Sequence, residues 1–280
     1  MKIEDLNIKY YRGTEVPDFY IEDEFLGKSE GVHSVFIPQN HEEVVSAVKY
    51  ANAHDLSIIA RGSGTGLSAA TFPNLNSIII DMSQMNRIID LNPKTMTLSL
   101  EPGVELQEIQ EYVESRNFFY PPDPGSKNSS IGGNIATNAG GMRALKYGVT
   151  RDYVRALKIV LASGETLELG SENIKSSSGY DLKHLFIGSE GTLGIITEIK
   201  LKLIPLPQIS ESLILAFDDL HIASANVNKI LQAGLAPSAL EFFEKDMLQM
   251  SINETKIPFV TEQGKAFLLL TLDGNSNEFI

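Results

Sequence analysis

The 280-residue sequence predicts an α+β fold with more than one domain. Three observations carry this. A short strand–helix–strand unit runs into a glycine-rich turn, a later group of strands is joined by a hairpin, and two prolines then precede a last strand–helix–strand stretch.

Residues 1–32 are mixed and polar with weak periodicity, and read as a short helix or arm. Ser34–Ile37 (SVFI) is a β-rich run stopped by Pro38. Asn40 can cap a helix, and Glu43 three residues on completes a capping box. Val44, Val45, Val48 and Ala51 then share one helical face. Residues 56–60 form a second strand leading into residues 61–68 (RGSGTGLS), and Ser77–Asp81 a third. Residues 96–101 alternate as a strand, Pro102-Gly103 turns, and residues 104–117 carry helical spacing at Leu106, Ile109, Gln110 and Val113. Residues 120–148 are dense in Pro, Gly, Asn and Ser, hold two Gly-Gly pairs and lack periodicity; a loop this long is expected to be ordered and functional. Strands at 154–161 and 165–169 meet at the hairpin turn Ala162-Ser163-Gly164. A helix-like piece at 181–186 leads to residues 188–194 (GSEGTLG), then to a strand at 195–203. Pro205 and Pro207 mark a domain boundary, beyond which 213–217 and 266–272 read as strands and 222–233 as a helix. The expected divisions are therefore an arm over 1–32, a main domain over 33–206 and a partial domain over 207–280.

Acidic residues outnumber basic ones by 36 to 23, a net charge of −13 that repels nucleic-acid phosphates, and no basic stripe offsets it. Nucleic-acid binding is excluded on that basis. With no cysteine, disulfides, iron–sulfur clusters and thiolate zinc sites are excluded from this sequence. The N-terminus carries acids where a signal peptide needs a basic start, and no apolar run approaches the roughly 18 residues of a membrane-spanning helix. A soluble, cytoplasmic protein is expected.

Gly62 and Gly64 give G-x-G after a strand, and Asp81 ends the next strand where a ribose ligand would sit in a dinucleotide fold. The details disagree with that fold. The third glycine would fall at Leu67, and the crossover over 68–76 contains Pro73 and is too short for the required helix. No Gly-Lys-Ser/Thr follows, so a P-loop fails as well. The glycines suit a free-standing anion-binding turn, with a plain glycine-rich β-turn as the alternative.

Three stretches in collinear order then bring a family to view. Residues 61–68 resemble the pyrophosphate loop of the vanillyl-alcohol-oxidase (PCMH) type of FAD-binding domain. Residues 120–148 (YPPDPGSKNSSIGGNIATNAGGMRALKYG) resemble the segment that wraps the flavin in the GlcD-type chain of glycolate oxidase and in D-lactate or D-2-hydroxyglutarate dehydrogenases. Residues 179–196 (GYDLKHLFIGSEGTLGII) resemble that family's third flavin segment. The resemblance implies a two-lobed FAD-binding PCMH-type domain, a small βαβ lobe plus a larger mixed or antiparallel one, followed by the start of an α+β substrate or cap domain. It implies FAD held without a covalent bond, since the loop has neither His nor Cys. For the pyrophosphate it implies Arg61, Gly62, Ser63, Gly64, Thr65, Gly66, Leu67 and Ser68, with amides exposed at the glycines and hydroxyls from Ser63, Thr65 and Ser68. For the flavin and its ribityl arm it implies Pro124, Gly125, Ser126, Ser130, Gly133, Thr137, Asn138, Gly140 and Gly141. Glu190, Gly191, Gly194, Ile195 and Ile196 fall to the adenosine side.

The implied activity is oxidation of a small D-2-hydroxy acid such as D-lactate or glycolate, with hydride passing to flavin N5. In this family a C-terminal half carries two histidines and an acid as metal ligands, a catalytic histidine and cationic groups that clamp the substrate carboxylate. The five histidines here (His33, His41, His54, His184, His221) show no such spacing, and Asp273-Gly274-Asn275 is too slight for the metal motif. No catalytic residue or metal ligand is assigned, and a divalent metal is expected only in a further C-terminal part. The chain is thus expected to be the front of a truncated or split enzyme, working with a partner subunit or electron acceptor. The alternative is a non-catalytic FAD-binding subunit or remnant. Other members of the fold, a cell-wall precursor reductase or an alkyl-lipid synthase, stay open.

Overall fold

A computed structural model describes residues 2–23, 27–256 and 263–275. The chain divides into two compact units. The first comprises Met1–Tyr120, Pro124–Ala139 and Thr150–Pro205; the second comprises Pro121–Asp123, Gly140–Val149 and Leu206–Ile280.

The first unit opens with a four-stranded sheet of β1 (Lys9–Tyr11), β2 (Ser34–Ile37), β3 (Ser57–Arg61) and β4 (Ser77–Asp81), in the order β1-β2-β4-β3. Strands β2 and β3 both pair parallel with β4, and β1 lies antiparallel on β2. Helix α1 (His41–Ala53) is the crossover from β2 to β3. Its start follows the expected chemistry: Asn40 Oδ1 accepts from the Glu43 N–H at 3.0 Å. The Glu43 carboxylate reaches back one residue beyond the cap, accepting from the Gln39 N–H at 2.8 Å. Val44, Val48 and Ala51 are buried on the inner face, with Val45 half-buried at its margin.

Central β4 is apolar on both faces, as a strand flanked by parallel partners needs. Ile78 and Ile80 pack with α1, while Ile79 packs with Tyr20, Val32, Val35 and Ile37. Tyr20 and the neighbouring Tyr11, Val16 and Ile21 come from the segment read as a polar arm. That segment is instead built into the sheet, supplying an edge strand and the cover for one face. A three-residue strand is too short for period-2 alternation to show, which is why the sequence pattern is silent there.

The second sheet of this unit is antiparallel throughout. It contains β5 (Ile88–Asn92), β6 (Thr97–Leu100), β7 (Val154–Val160), β8 (Thr166–Gly170) and β9 (Ile195–Lys202), in the order β8-β7-β9-β6-β5. Strand β5 is not anticipated by the sequence pattern. The β7–β8 hairpin closes as expected, with the Gly164 N–H donating to Leu161 O at 2.8 Å and Gly164 at φ +83°. Helix α2 (Leu106–Glu114) buries Leu106, Ile109, Gln110 and Val113, the four positions its spacing selects. The stretch read as a long loop contains α3 (Ile131–Thr137), a seven-residue helix that Gly132-Gly133 in its first turn conceals from any propensity argument. Helix α5 (Lys183–Phe186), after α4 described below, is a single turn ahead of β9.

The second unit has a three-stranded antiparallel sheet, with β10 (Ile209–Phe217) and β11 (Ala239–Glu244) on either side of β12 (Ala266–Gly274). Helix α6 (Leu220–Gln232), capped by Asp219 accepting from the Ile222 N–H at 2.8 Å, packs its Ala223 with Ala266 and Leu268. Helix α7 (Lys245–Thr255) follows β11, and the sequence pattern anticipates neither. The short helix α4 (Ala144–Tyr147) belongs here too. Lys146 Nζ donates to the Asp273 carboxylate at 2.6 Å and to its carbonyl at 2.5 Å, and the Tyr147 hydroxyl adds a third bond at 2.9 Å. Asp273, too slight for a metal motif, is thus the anchor of α4 on β12. Among the described residues no helix is long and apolar enough to cross a membrane.

His41 links the two sheets of the first unit: its Nδ1 lies 2.9 Å from Thr197 Oγ1 on β9 and its Nε2 2.7 Å from Thr166 Oγ1 on β8. Burial, then the nearby Lys158, lowers its pKa from the ordinary 6.5. A folded-state pKa below the unfolded one means the unfolded chain binds the proton first, so stability is present above pH 6.5 and lost as pH falls through the folded value. Urea unfolding across this range is expected to show a falling midpoint below about pH 6.5, and His41→Asn to flatten part of that fall. An unchanged slope in the variant would assign the effect elsewhere.

Candidate flavin-nucleotide site

A cavity of about 410 Å³ lies within the first unit. Three backbone-rich stretches wall it: the loop after β3, residues 124–139 with α3, and the turn between α5 and β9. Ala60, Met82, Pro102 and Phe186 also line it. Glu190 is the one ionisable side chain among the lining residues. An anion held here would be met by amides and hydroxyls.

Ser130 joins the first two stretches. Its hydroxyl caps α3, accepting from the Gly133 N–H at 3.3 Å, and also accepts from the Ser63 N–H at 3.4 Å. The approach is close enough that a Cβ on Gly62 would lie 2.1 Å from Ser130 Oγ. Gly132 is required for a related reason, since its Cβ would fall 2.6 Å from Pro102 Cβ while its N–H donates to Pro102 O at 2.8 Å. The third stretch hangs from the far end of α3. There the Gly188 N–H donates to Ile135 O (3.0 Å), which also accepts from Asn138, and the Glu190 N–H donates to Ala136 O (2.8 Å), a carbonyl at the helix end. Glu190 takes a left-handed backbone, φ +53°, to make that turn.

Most of the residues singled out from sequence meet at this cavity. Gly62, Ser63, Gly64, Thr65, Gly66, Leu67 and Ser68 line it from the first stretch. Pro124, Gly125, Ser126, Ser130, Gly133 and Thr137 do so from the second, and Glu190, Gly191, Gly194, Ile195 and Ile196 from the third. Four others do not line it. Arg61 is buried, 9% exposed, and turns its guanidinium to Thr71 Oγ1 (3.2 Å) and Phe19 O (3.1 Å), 5.6 Å from the Tyr20 ring centroid. It braces the loop against the N-terminal segment. Asn138 ends α3 in the left-handed region, φ 49°, and its Oδ1 accepts from the Arg151 N–H at 3.0 Å. Gly140 and Gly141 belong to the second unit. Asp81, the apparent ribose ligand of a dinucleotide fold, is hydrogen-bonded to the Tyr20 hydroxyl and accepts from the Ser83 N–H at 2.9 Å. Burial, then that bond to Asp81, pushes the Tyr20 pKa upward, so the phenol stays protonated.

Sequence reasoning missed Ala60, Thr71, Met82, Pro102, Asn134 and Phe186 in the lining. The apolar ones look like ordinary core. Asn134 had a usable signal: Ser130, Gly133, Asn134 and Thr137 follow the i, i+3, i+4, i+7 spacing of one helix face. Reading residues 131–137 as a helix would have found it.

Comparison with known proteins bears on what fills the cavity. Residues 32–170 match the family described as FAD binding domain, and residues 206–279 match FAD linked oxidases, C-terminal domain. The chain belongs to the FAD-linked oxidases. It is 40% identical over 272 residues to a D-lactate dehydrogenase of Anaerostipes hadrus, covering 95% of this chain and 57% of that protein. It is also 40% identical to glycolate oxidase subunit GlcD of Bacillus subtilis, over 86% of this chain and 51% of that one. A solved alkyldihydroxyacetonephosphate synthase superposes with a TM-score of 0.78 at 26% identity, covering 88% of this chain and 48% of the other. The chain spans about half the length of the curated relatives it matches.

The residues present fit FAD, whose diphosphate and ring carbonyls are hydrogen-bond acceptors. The lining offers glycine-exposed amides and the hydroxyls of Ser63, Thr65 and Ser68. Gly62→Ala tests the cradle, because a Cβ there forces the loop and the α3 cap apart. Overpacking of about 1–3 kcal/mol corresponds to roughly 5- to 150-fold weaker FAD binding in a fluorescence titration. Unchanged affinity would detach this junction from the cofactor.

Proposed function

We propose that this chain is the FAD-holding part of an oxidoreductase that converts a small D-2-hydroxy acid, D-lactate or glycolate, to the corresponding 2-oxo acid. One observation carries the reading: two separated stretches of the matched FAD binding domain and a third just beyond its matched residues converge on one cavity whose lining holds a single ionisable side chain. The choice of substrate class rests on relatives described as a D-lactate dehydrogenase and a glycolate oxidase subunit, each at 40% identity against 26% for the synthase. Bound FAD supplies the two-electron acceptor.

In this reading the amides of Gly62, Gly64 and Gly66, with Ser63, Thr65 and Ser68, neutralise the diphosphate. Pro124, Gly125, Ser126, Ser130, Gly133 and Thr137 hold the flavin and ribityl side, and Glu190–Ile196 the adenosine side. Gly140 and Gly141 remain candidates for passing main chain close to the ring. Arg61 acts on the loop, orienting the amides that meet the phosphates. Residues 33–206 act as the FAD domain and 207–280 begin the substrate side, in a cytoplasmic protein.

A second reading makes the chain a flavin-binding subunit that needs a partner for turnover. Two observations favour it: the GlcD relative is described as a subunit, and no histidine is among the cavity's lining residues. Anaerobic addition of D-lactate or glycolate to the FAD-loaded chain separates the two. The enzyme reading expects the flavin's visible band to bleach with one of these acids. Bound flavin that stays oxidised with both would overturn that reading and leave the non-catalytic one. A chain that takes up no FAD would overturn both.

A further inference from the structure

We infer that the N-terminal turn at Phe19 and Tyr20 is a working part of the cofactor site. Through the Arg61 guanidinium it holds the glycine loop in the shape that meets the FAD diphosphate, and bound FAD steadies the turn in return. This rests on the FAD reading of the cavity. It brings in residues that lie ahead of the matched FAD binding domain, which begins at residue 32. Arg61 is then a positioning residue, acting on the cofactor through the loop.

The guanidinium lies behind the cavity wall. Arg61 is buried and is not among the lining residues, whereas Gly64 and Thr71 both are. Thr71 Oγ1 accepts from Nη1 at 3.2 Å. Gly64, in the left-handed region at φ +69°, packs so closely on the guanidinium that a Cβ there would fall 2.7 Å from Cζ. The second arm, Nη2, donates to Phe19 O at 3.1 Å, and Cζ lies 5.6 Å from the Tyr20 ring centroid. One planar group thus touches both the middle of the loop and the N-terminal turn.

The turn is itself a fixed support. Tyr20 is buried among Val32, Val35, Ile37 and Ile79, and its hydroxyl donates to Asp81, the register partner of Arg61 on β4. Contacts that leave β3 through Arg61 therefore return to the neighbouring strand through Tyr20. A guanidinium holds its donors in one rigid plane, so the acceptors it binds are fixed relative to each other; an ammonium has no such fork. Hydrogen bonds from a charged donor are also about twice as strong as neutral ones. The loop needs this support. With glycine at 62, 64 and 66 its backbone has much freedom to lose, and order imposed beforehand leaves less to lose when the diphosphate binds. Coupling of this kind is reciprocal, so FAD that orders the loop must also order the turn.

Hydrogen exchange on the full wild-type chain, with and without FAD, reads the coupling. FAD is expected to slow exchange at the Tyr20 and Ile21 amides, which donate to Pro17 O (3.1 Å) and Asp18 O (2.9 Å), although neither residue lines the cavity. Arg61→Lys and Arg61→Met are each expected to weaken FAD binding roughly 10-fold. In the FAD-free protein both are expected to speed exchange in residues 62–68 and 20–21, while β6 exchanges as before. Lysine keeps the charge, so its failure to restore affinity separates the fork from the charge. Wild-type affinity in either variant would overturn the proposal. So would exchange that speeds throughout the four-stranded sheet, which would mark Arg61 as a packing residue alone. FAD binding that leaves Tyr20 and Ile21 unprotected would overturn it as well. A wild-type chain that binds no FAD would instead remove the cofactor reading beneath it.

Discussion

One serine hydroxyl fixes how two walls of the cavity meet. Ser130 Oγ accepts from Gly133 at the start of α3 and from Ser63 in the loop after β3, and Gly62 has no Cβ that would keep them apart. The start of α3 is itself seated by Gly132 on Pro102, and its end carries the turn through Gly188 and Glu190. A seven-residue helix is thus the hub to which three distant segments attach. It would be marginal alone, so its stability comes from these contacts.

A strongly acidic chain that holds a dianionic diphosphate faces an electrostatic problem, and this fold meets it without placing a cation in the lining. Backbone amides are fixed dipoles; where glycine bares them they can approach an anion closely and need no counter-charge of their own. Arg61, which opens the glycine loop, hydrogen-bonds Thr71 and Phe19, where it supports loop geometry. The Tyr20–Asp81 bond adds a second tie between the same N-terminal segment and the sheet. The N-terminal residues therefore reach the cavity indirectly, through the shape of the loop they brace.

How legible each feature is in the sequence depends on how it is encoded. Helices α1 and α2 announce themselves because one apolar face must recur at helical spacing, and most of the positions so selected are buried. The loop stretches are legible as motifs, since glycine, proline and small hydroxyl residues at fixed spacings have few other uses. Arg61 is hard to read because a cation beside a glycine loop suggests phosphate contact, whereas its hydrogen bonds to Phe19 and Thr71 show only in the three-dimensional arrangement. Helix α3 is hidden by its own Gly-Gly pair, and with it Asn134. The lining residues Met82, Pro102 and Phe186 carry no local signal, because an apolar side chain against a ligand looks the same in sequence as one against core.

Hydrogen exchange with and without FAD tests the central claim most directly, because it reads the backbone amides themselves. The account predicts that FAD slows exchange together in residues 62–68, 130–137 and 188–196, with little change along α6 of the second unit. Tight binding that protects one of these stretches and leaves the other two exchanging as before would contradict their convergence on a single cofactor.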